Sequence, residues 1–280
     1  MTSTRAPEQP KAYALGRTPE EYERLRAQAR VWEAATGRLL DRVALAPGAR
    51  CLDAGCGPGE TMRLMAQRVG PQGSVLGLDV DASLGALAEA GLHQAGHRQC
   101  TVLEYDLTAD EPIPHGPFDV VAARLLLLHL PQRLAVLRRL WQAVAPGGYL
   151  LLQDYDLSVV SVLPPTDSVV EVMRVMLETF TAVECDVRLG SRLPALMTEA
   201  GVGAPDGTDV AGRLDSFALG RAVLEQTYTS LLPAALARGI TTAEQARATT
   251  AALDADVTAH PDRPLLWPLM VGVWKQKASS

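Results

Sequence analysis

Lysine is nearly absent from this 280-residue chain. Lys11, Lys275 and Lys277 are the only three, and arginine supplies the rest of the 26 basic residues. Acids outnumber bases, and the formal net charge is −6. That balance lacks the basic footprint a phosphate backbone demands, so no nucleic-acid partner is expected. Cysteine is sparse too. Cys51, Cys56, Cys100 and Cys185 show no C-x-x-C spacing and no clustered histidines. This excludes a zinc framework and a disulfide scaffold, leaving reduced, partly buried thiols and no metal. No run approaches the ~18 uncharged apolar residues of a membrane helix. Residues 1–11 are polar and carry no signal-peptide core, so a cytoplasmic protein without a membrane partner is expected. What the chain has in plenty is apolar residues, 48% of the total. That suffices for a full core in one large domain or two small ones.

The chain is organised around Cys51-Leu52-Asp53-Ala54-Gly55-Cys56-Gly57-Pro58-Gly59-Glu60. An apolar run ends there and a helical pattern begins. A glycine-rich loop in that setting lets a ligand touch backbone. A dinucleotide fingerprint needs G-x-G-x-x-G. Here Glu60 stands at the third glycine position and the glycine falls one residue early, at Gly59. A carboxylate at the helix start disfavours a diphosphate and tolerates a zwitterionic amino-acid tail.

Around this loop, strands alternate with helices. Residues 1–11 read as a tail. Thr18-Pro19-Glu20-Glu21 opens a helix over 22–36, followed by a second over 37–43. Strands are expected over 50–54, 74–79, 99–105, 118–123 and 149–153, with helices over 60–69, from 81 or 83 to about 91, and over 131–145. That rhythm means a parallel sheet with right-handed crossovers. Later segments read as helices over 169–183, 191–200, 215–237 and 242–258, and strands over 207–214 and 265–275.

The order D-x-G-x-G-x-G over 53–59 resembles the first motif of class I S-adenosylmethionine (SAM)-dependent methyltransferases. Ala145-Pro146-Gly147-Gly148 before a buried strand, and Tyr13-x-Leu15-Gly16 followed by Glu21, Arg24, Leu25 and Gln28, resemble the UbiE/type-11 group of small-molecule enzymes. The resemblance covers roughly 13–154. It implies an α/β, Rossmann-like fold: a mostly parallel seven-stranded sheet with helical lid inserts, in a single domain. Residues 12–45 would form an N-terminal cap and 46–156 the SAM-binding core. Residues 157–280 would hold the lid inserts, at about 160–188 and 214–260, and the last strands.

It also implies SAM as cofactor and S-adenosylhomocysteine as product. The loop residues Gly55, Cys56, Gly57 and Gly59 would approach the methionine moiety. Asp79, with Val80 beside it, lies about 20 residues past the loop, where a carboxylate accepts from ribose hydroxyls. Asp106 and Leu107 would meet the adenine. Asp53 would orient the turn or meet the SAM ammonium, and Arg124 would meet the charged methionine end, with Tyr13 and Gln28 at its carboxylate. Four such groups at four consecutive strand ends make the pattern specific, since ligands of open α/β sheets sit outside the carboxyl ends of the strands.

The reaction is expected to be in-line displacement at a sulfonium methyl, helped by alignment and exclusion of water. His129 is the candidate general base for acceptors that carry a proton; the alternative is packing against the following helix. Asp154 and Tyr155 would face the acceptor, and Met173, Met176, Phe180 and Tyr228 would line an apolar acceptor pocket or belong to the core. His93, His97, His115 and His260 read as surface or loop residues. The place after 118–123 lacks the N/D-P-P-Y/F of adenine-methylating enzymes. The expected partner is a small-molecule acceptor, in secondary metabolism, with a homodimer left open. Three other readings remain: a SAM-binding enzyme of a non-methyl reaction such as cyclisation, a nicotinamide oxidoreductase and a non-catalytic SAM-binding partner. Which acceptor atom is methylated does not follow from the residues.

Overall fold

The structure, a computed structural model, describes residues 19–43 and 45–279. Tyr13 and the Thr18 cap lie outside the described residues, as do the side chains of Arg24 and Gln28.

Helices α1 (Pro19–Val31) and α2 (Glu33–Arg42) are one helical run broken at Trp32. The break falls four residues before the expected one, because Trp32 turns inward and packs its ring on Tyr155. The strand–helix rhythm then follows as expected: β1 (Arg50–Ala54), α3 (Glu60–Val69), β2 (Ser74–Asp79), α4 (Ala82–Gln94), β3 (Cys100–Glu104), β4 (Phe118–Arg124), α5 (Arg133–Ala143) and β5 (Val144–Asp156). Asp81 caps α4 by accepting from the Ser83 and Leu84 amides at 3.1 and 3.0 Å. Its other oxygen takes the Tyr22 hydroxyl at 2.9 Å, which ties α1 to the start of α4.

After β5 come a two-residue strand β6 (Ser161–Val162), α6 (Asp167–Ala182), α7 (Leu189–Glu199), β7 (Gly207–Ala211), β8 (Leu214–Ser216), α8 (Phe217–Ala237), α9 (Ala243–Ala259), β9 (Pro264–Leu266) and β10 (Leu269–Gln276). The main sheet has seven strands in the order β3-β2-β1-β4-β5-β10-β7, and only β10 runs antiparallel to its neighbours. Both faces of the middle strands are covered, so β1, β4 and β5 read as nearly continuous buried runs.

Three expectations are corrected here. The strand expected over 207–214 is two strands, β7 and β8, in different sheets, and the strand expected over 265–275 divides at Trp267-Pro268. Proline has no amide for a ladder, so β9 stops before it and joins β6 and β8 in a small antiparallel sheet. That small sheet gathers the roots of α6, α8 and α9, which pack on one another. The third correction is β5, which begins at Val144 instead of 149, so that Ala145-Pro146-Gly147-Gly148 lie within it, and runs three residues past 153; its last residues pair with β10, Asp154 with Val271 and Tyr155 with Met270.

Candidate functional site

The carboxyl ends of β1, β2 and β4 meet around the glycine loop. Gly55, Gly57 and Gly59 all have positive φ, at 69, 50 and 81°. Two of them show why glycine is needed. A Cβ at Gly55 would sit 2.7 Å from Leu126 Cδ1, so the loop lies directly on the segment after β4. A Cβ at Gly57 would meet nothing within 4 Å, so its left-handed backbone faces open space. The Gly55 and Cys56 amides both donate to the Leu78 carbonyl, and the Gly57 amide donates to Asp79 Oδ2 at 2.8 Å. Asp79 Oδ1 accepts the Asp81 amide at 2.9 Å. Asp79 therefore fixes the loop with one oxygen and the start of α4 with the other. Cys56 contributes backbone only, since its thiol is buried and burial raises its pKa.

Asp53, the fourth residue of β1, is 1% exposed, and its Oδ2 has no hydrogen-bond partner among the described residues. Burial raises its pKa from the usual 3.8 to about 7; the Arg124 charge pulls it down, the Asp79 charge pushes it up and a Met62 amide bond lowers it. The folded protein thus holds a proton that the unfolded chain releases at about pH 4. Stability from this group falls as pH rises between about 4 and 7, and the full cost is present above 7. Asp53→Asn is expected to raise the melting temperature of the ligand-free protein at pH 8, with the gain shrinking by pH 5. Thermal unfolding at both pH values checks this, and a variant less stable than wild type at both would contradict it.

Arg124 ends β4 and is half-buried. One guanidinium nitrogen donates to Thr36 Oγ1 at 3.2 Å, and Thr36 donates in turn to Gln153 Oε1 at 2.7 Å. Neither Thr36 nor Gln153 was expected from sequence. The available signal was a threonine inside the apolar stripe Trp32, Leu39, Leu40. Asp106 is exposed; its Oδ1 takes the amide and the hydroxyl of Thr108, both at 2.7 Å, and its Oδ2 has no partner among the described residues. Leu107 is buried, and its carbonyl accepts from Arg139. Val80 is exposed beside Asp79. A cleft of about 390 Å3 opens against Asp79 and Asp81, and one of about 440 Å3 reaches Pro58 and Gly59 between α1, α3 and α4. Neither is lined by Asp106 or Arg124.

The acceptor-side expectations fare differently. Asp154 was expected beyond the strand, facing the crevice. It is 2% exposed, inside β5, and its oxygens accept the Leu128 and Tyr155 amides at 3.2 and 3.0 Å. It anchors the 127–129 turn, and burial pushes its pKa up to about 7. Tyr155 is buried edge-on against Trp32, with ring centroids 5.9 Å apart. Met173, Met176, Phe180 and Tyr228 pack in the main core. Burial pushes the Tyr228 phenol up while the nearby Thr249 side chain lowers it; its hydroxyl has no partner at hydrogen-bond geometry among the described residues. His129 is half-buried, with Nδ1 3.5 Å from Cys185 Sγ. Burial pushes that thiol up to about 11, so it stays protonated, and which partner donates follows from the tautomer of the ring.

These residues fit SAM on one observation above all. The unpartnered buried oxygen of Asp53, two residues before a loop whose Gly57 backbone faces open space, would be satisfied by a cationic amine.

Known proteins agree with this frame. The chain is 40% identical over 118 residues to a trans-aconitate 2-methyltransferase of Methylobacterium nodulans, covering 42% of this chain and 43% of that protein. It is 36% identical over 127 residues to the 27-O-demethylrifamycin SV methyltransferase of Amycolatopsis mediterranei, covering 44% and 46%. The matches thus span less than half of each relative. In fold it is similar to a Bacillus halodurans protein described as a methyltransferase candidate, with TM-score 0.59 and 16% identity over 88% of this chain and 99% of that one. The family model for a methyltransferase domain matches residues 22–196, more than half of the sequence, and the chain belongs to that family.

Proposed function

We propose that this protein transfers a methyl group from SAM to a small-molecule acceptor in secondary metabolism. The observation that carries the reading is the unpartnered, buried Asp53 oxygen in β1, two residues before the glycine loop, in a chain of the methyltransferase-domain family. Asp53 would hold the ammonium, and Asp79, which fixes the Gly57 and Asp81 amides, would accept from the ribose hydroxyls. Asp106 Oδ2 would accept from the adenine amino group. Helix α1, tied to α4 by Tyr22, would close over the cofactor with α6, α8 and α9 as the lid.

SAM supplies a methyl group already activated on a sulfonium, so the protein need not create an electrophile. Its residues align the acceptor with the methyl–sulfur axis and exclude water. The acceptor atom forms the new bond to carbon, and the carbon–sulfur electrons return to sulfur. The acceptor's proton, where it has one, leaves to solvent or to a base. The two matched relatives are named for trans-aconitate and a demethylrifamycin, which supports oxygen on a small organic molecule as the acceptor.

The test is transfer of label from methyl-tritiated SAM to a panel of carboxylate and hydroxyl acceptors. Labelled ester or ether with equimolar S-adenosylhomocysteine is expected. Conversion of a substrate with no methyl consumed would move the reading to the SAM-retaining alternative.

A further inference from the structure

We infer that Thr36 and Gln153 are positioning residues for the cofactor site: through one hydroxyl they hold the Arg124 guanidinium beside Asp53 at the glycine loop. The inference rests on reading Asp53 as the partner of the SAM ammonium.

The geometry has a direction. Thr36 has one proton and gives it to Gln153 Oε1 at 2.7 Å, which turns its lone pairs toward Arg124, 3.2 Å away. Thr36 and Gln153 are each 3% exposed, so neither group has water as a substitute. The seat of Thr36 is itself built. Gln153 pairs with Gly272 across β5 and β10, and a Cβ at Gly272 would sit 3.0 Å from Leu39 Cδ2. Glycine at 272 lets α2 settle on the sheet, and Leu39 is one turn from Thr36. Helix α2 continues α1 through Trp32, so a hydroxyl on the cap run reaches the charge at the end of β4.

The charge matters because of what surrounds Asp53. Arg124 is the cation that acts on it, from β4. Asp79 opposes from β2, and the thiols of Cys51, Cys56 and Cys100 face it from β1, the loop and β3. Glu60 and Tyr155 act on Arg124 itself. An Arg124 free to swing toward Glu60 would leave Asp53 among acids and neutral thiols, where its ionised form is disfavoured. A cationic amine binds the ionised form.

The experiment is calorimetric titration of the full chain with SAM at pH 6, 7 and 8. Wild type is compared with Thr36→Val, which keeps the shape and removes the hydroxyl, and with Thr36→Ser, which keeps the hydroxyl. Comparing proteins at one pH cancels the ligand's own titration. For a rise of about one pH unit in the Asp53 titration, Thr36→Val binds SAM about ninefold more weakly at pH 6, about fivefold at pH 7 and about twofold at pH 8. Thr36→Ser tracks wild type. Binding of 5′-methylthioadenosine, which lacks the amino-acid end, is the same in all three. If Thr36→Val folds poorly, Thr36→Ala reads the same contrast without the extra methyl branch. A Thr36→Val deficit that is equal at all three pH values, or none at all, overturns the relay. Failure of the underlying reading looks different. Wild-type affinity then shows no acid limb near pH 7, and Asp53→Asn binds SAM as wild type does, which overturns relay and ammonium site together.

Discussion

Asp79→Ala is expected to weaken SAM binding by about 1–3 kcal/mol, roughly fivefold to 150-fold, through lost charge-assisted hydrogen bonds. Two effects combine. The ribose hydroxyls lose their acceptor, and the Gly57 and Asp81 amides lose theirs, so the loop and the start of α4 are no longer fixed before the ligand arrives. Asp79→Asn separates the two. It keeps a carbonyl oxygen for one amide but loses the charge, so its affinity should lie between wild type and alanine. Calorimetry on the three proteins checks the order. Unchanged affinity in Asp79→Ala would remove Asp79 from the cofactor site.

The second large effect lies in packing. Gly190, the second residue of α7, lies against β5 so closely that a Cβ would sit 2.5 Å from the Asp154 carbonyl oxygen and 2.8 Å from the Tyr155 carbonyl carbon. These are backbone atoms of a central strand, and no rotamer change relieves the clash. Gly190→Ala should force α7 off the sheet and cost about 2–3 kcal/mol, or roughly 5–10 °C in melting temperature. Gly212→Ala is the control. Its Cβ would meet only Leu269 Cδ2, at 3.5 Å, and stability should change by less than about 0.5 kcal/mol. Equal melting temperatures for the two variants would contradict the packing described here. The damage in Gly190→Ala should reach function as well, because Tyr155 carries Trp32 and the break between α1 and α2.

The half of the chain before residue 156 was legible because its signals are local. Glycine and proline punctuate β1, α3 and β2, whose bounds agree with expectation, and Asp53, Asp79 and Asp106 fall at strand ends that can be counted from the loop. The exceptions are the break at Trp32 and both ends of β5. Asp154, Tyr155 and Asp156 are polar enough to read as a strand exit, yet antiparallel pairing with Leu269, Met270 and Val271 extends the strand through them. No local pattern announces a partner 115 residues away. The same limit applies to Thr36, whose bonds join residues 88 and 117 positions apart in sequence. A buried threonine looks like any interruption of an apolar stripe until its partners are known. His129 was visible as a histidine after a strand, but the thiol at its Nδ1 comes from Cys185, past α6, and no local pattern announces that contact.

The central claim is that the glycine loop and the acids around it hold an adenosyl amino acid and not a dinucleotide. Parallel calorimetric titrations of the purified protein with SAM, S-adenosylhomocysteine and NAD test it most directly. Binding of both adenosyl ligands in the micromolar range, with no heat from NAD, is the predicted result. Binding of NAD alone would contradict it, together with every role assigned to Asp53, Asp79 and Arg124.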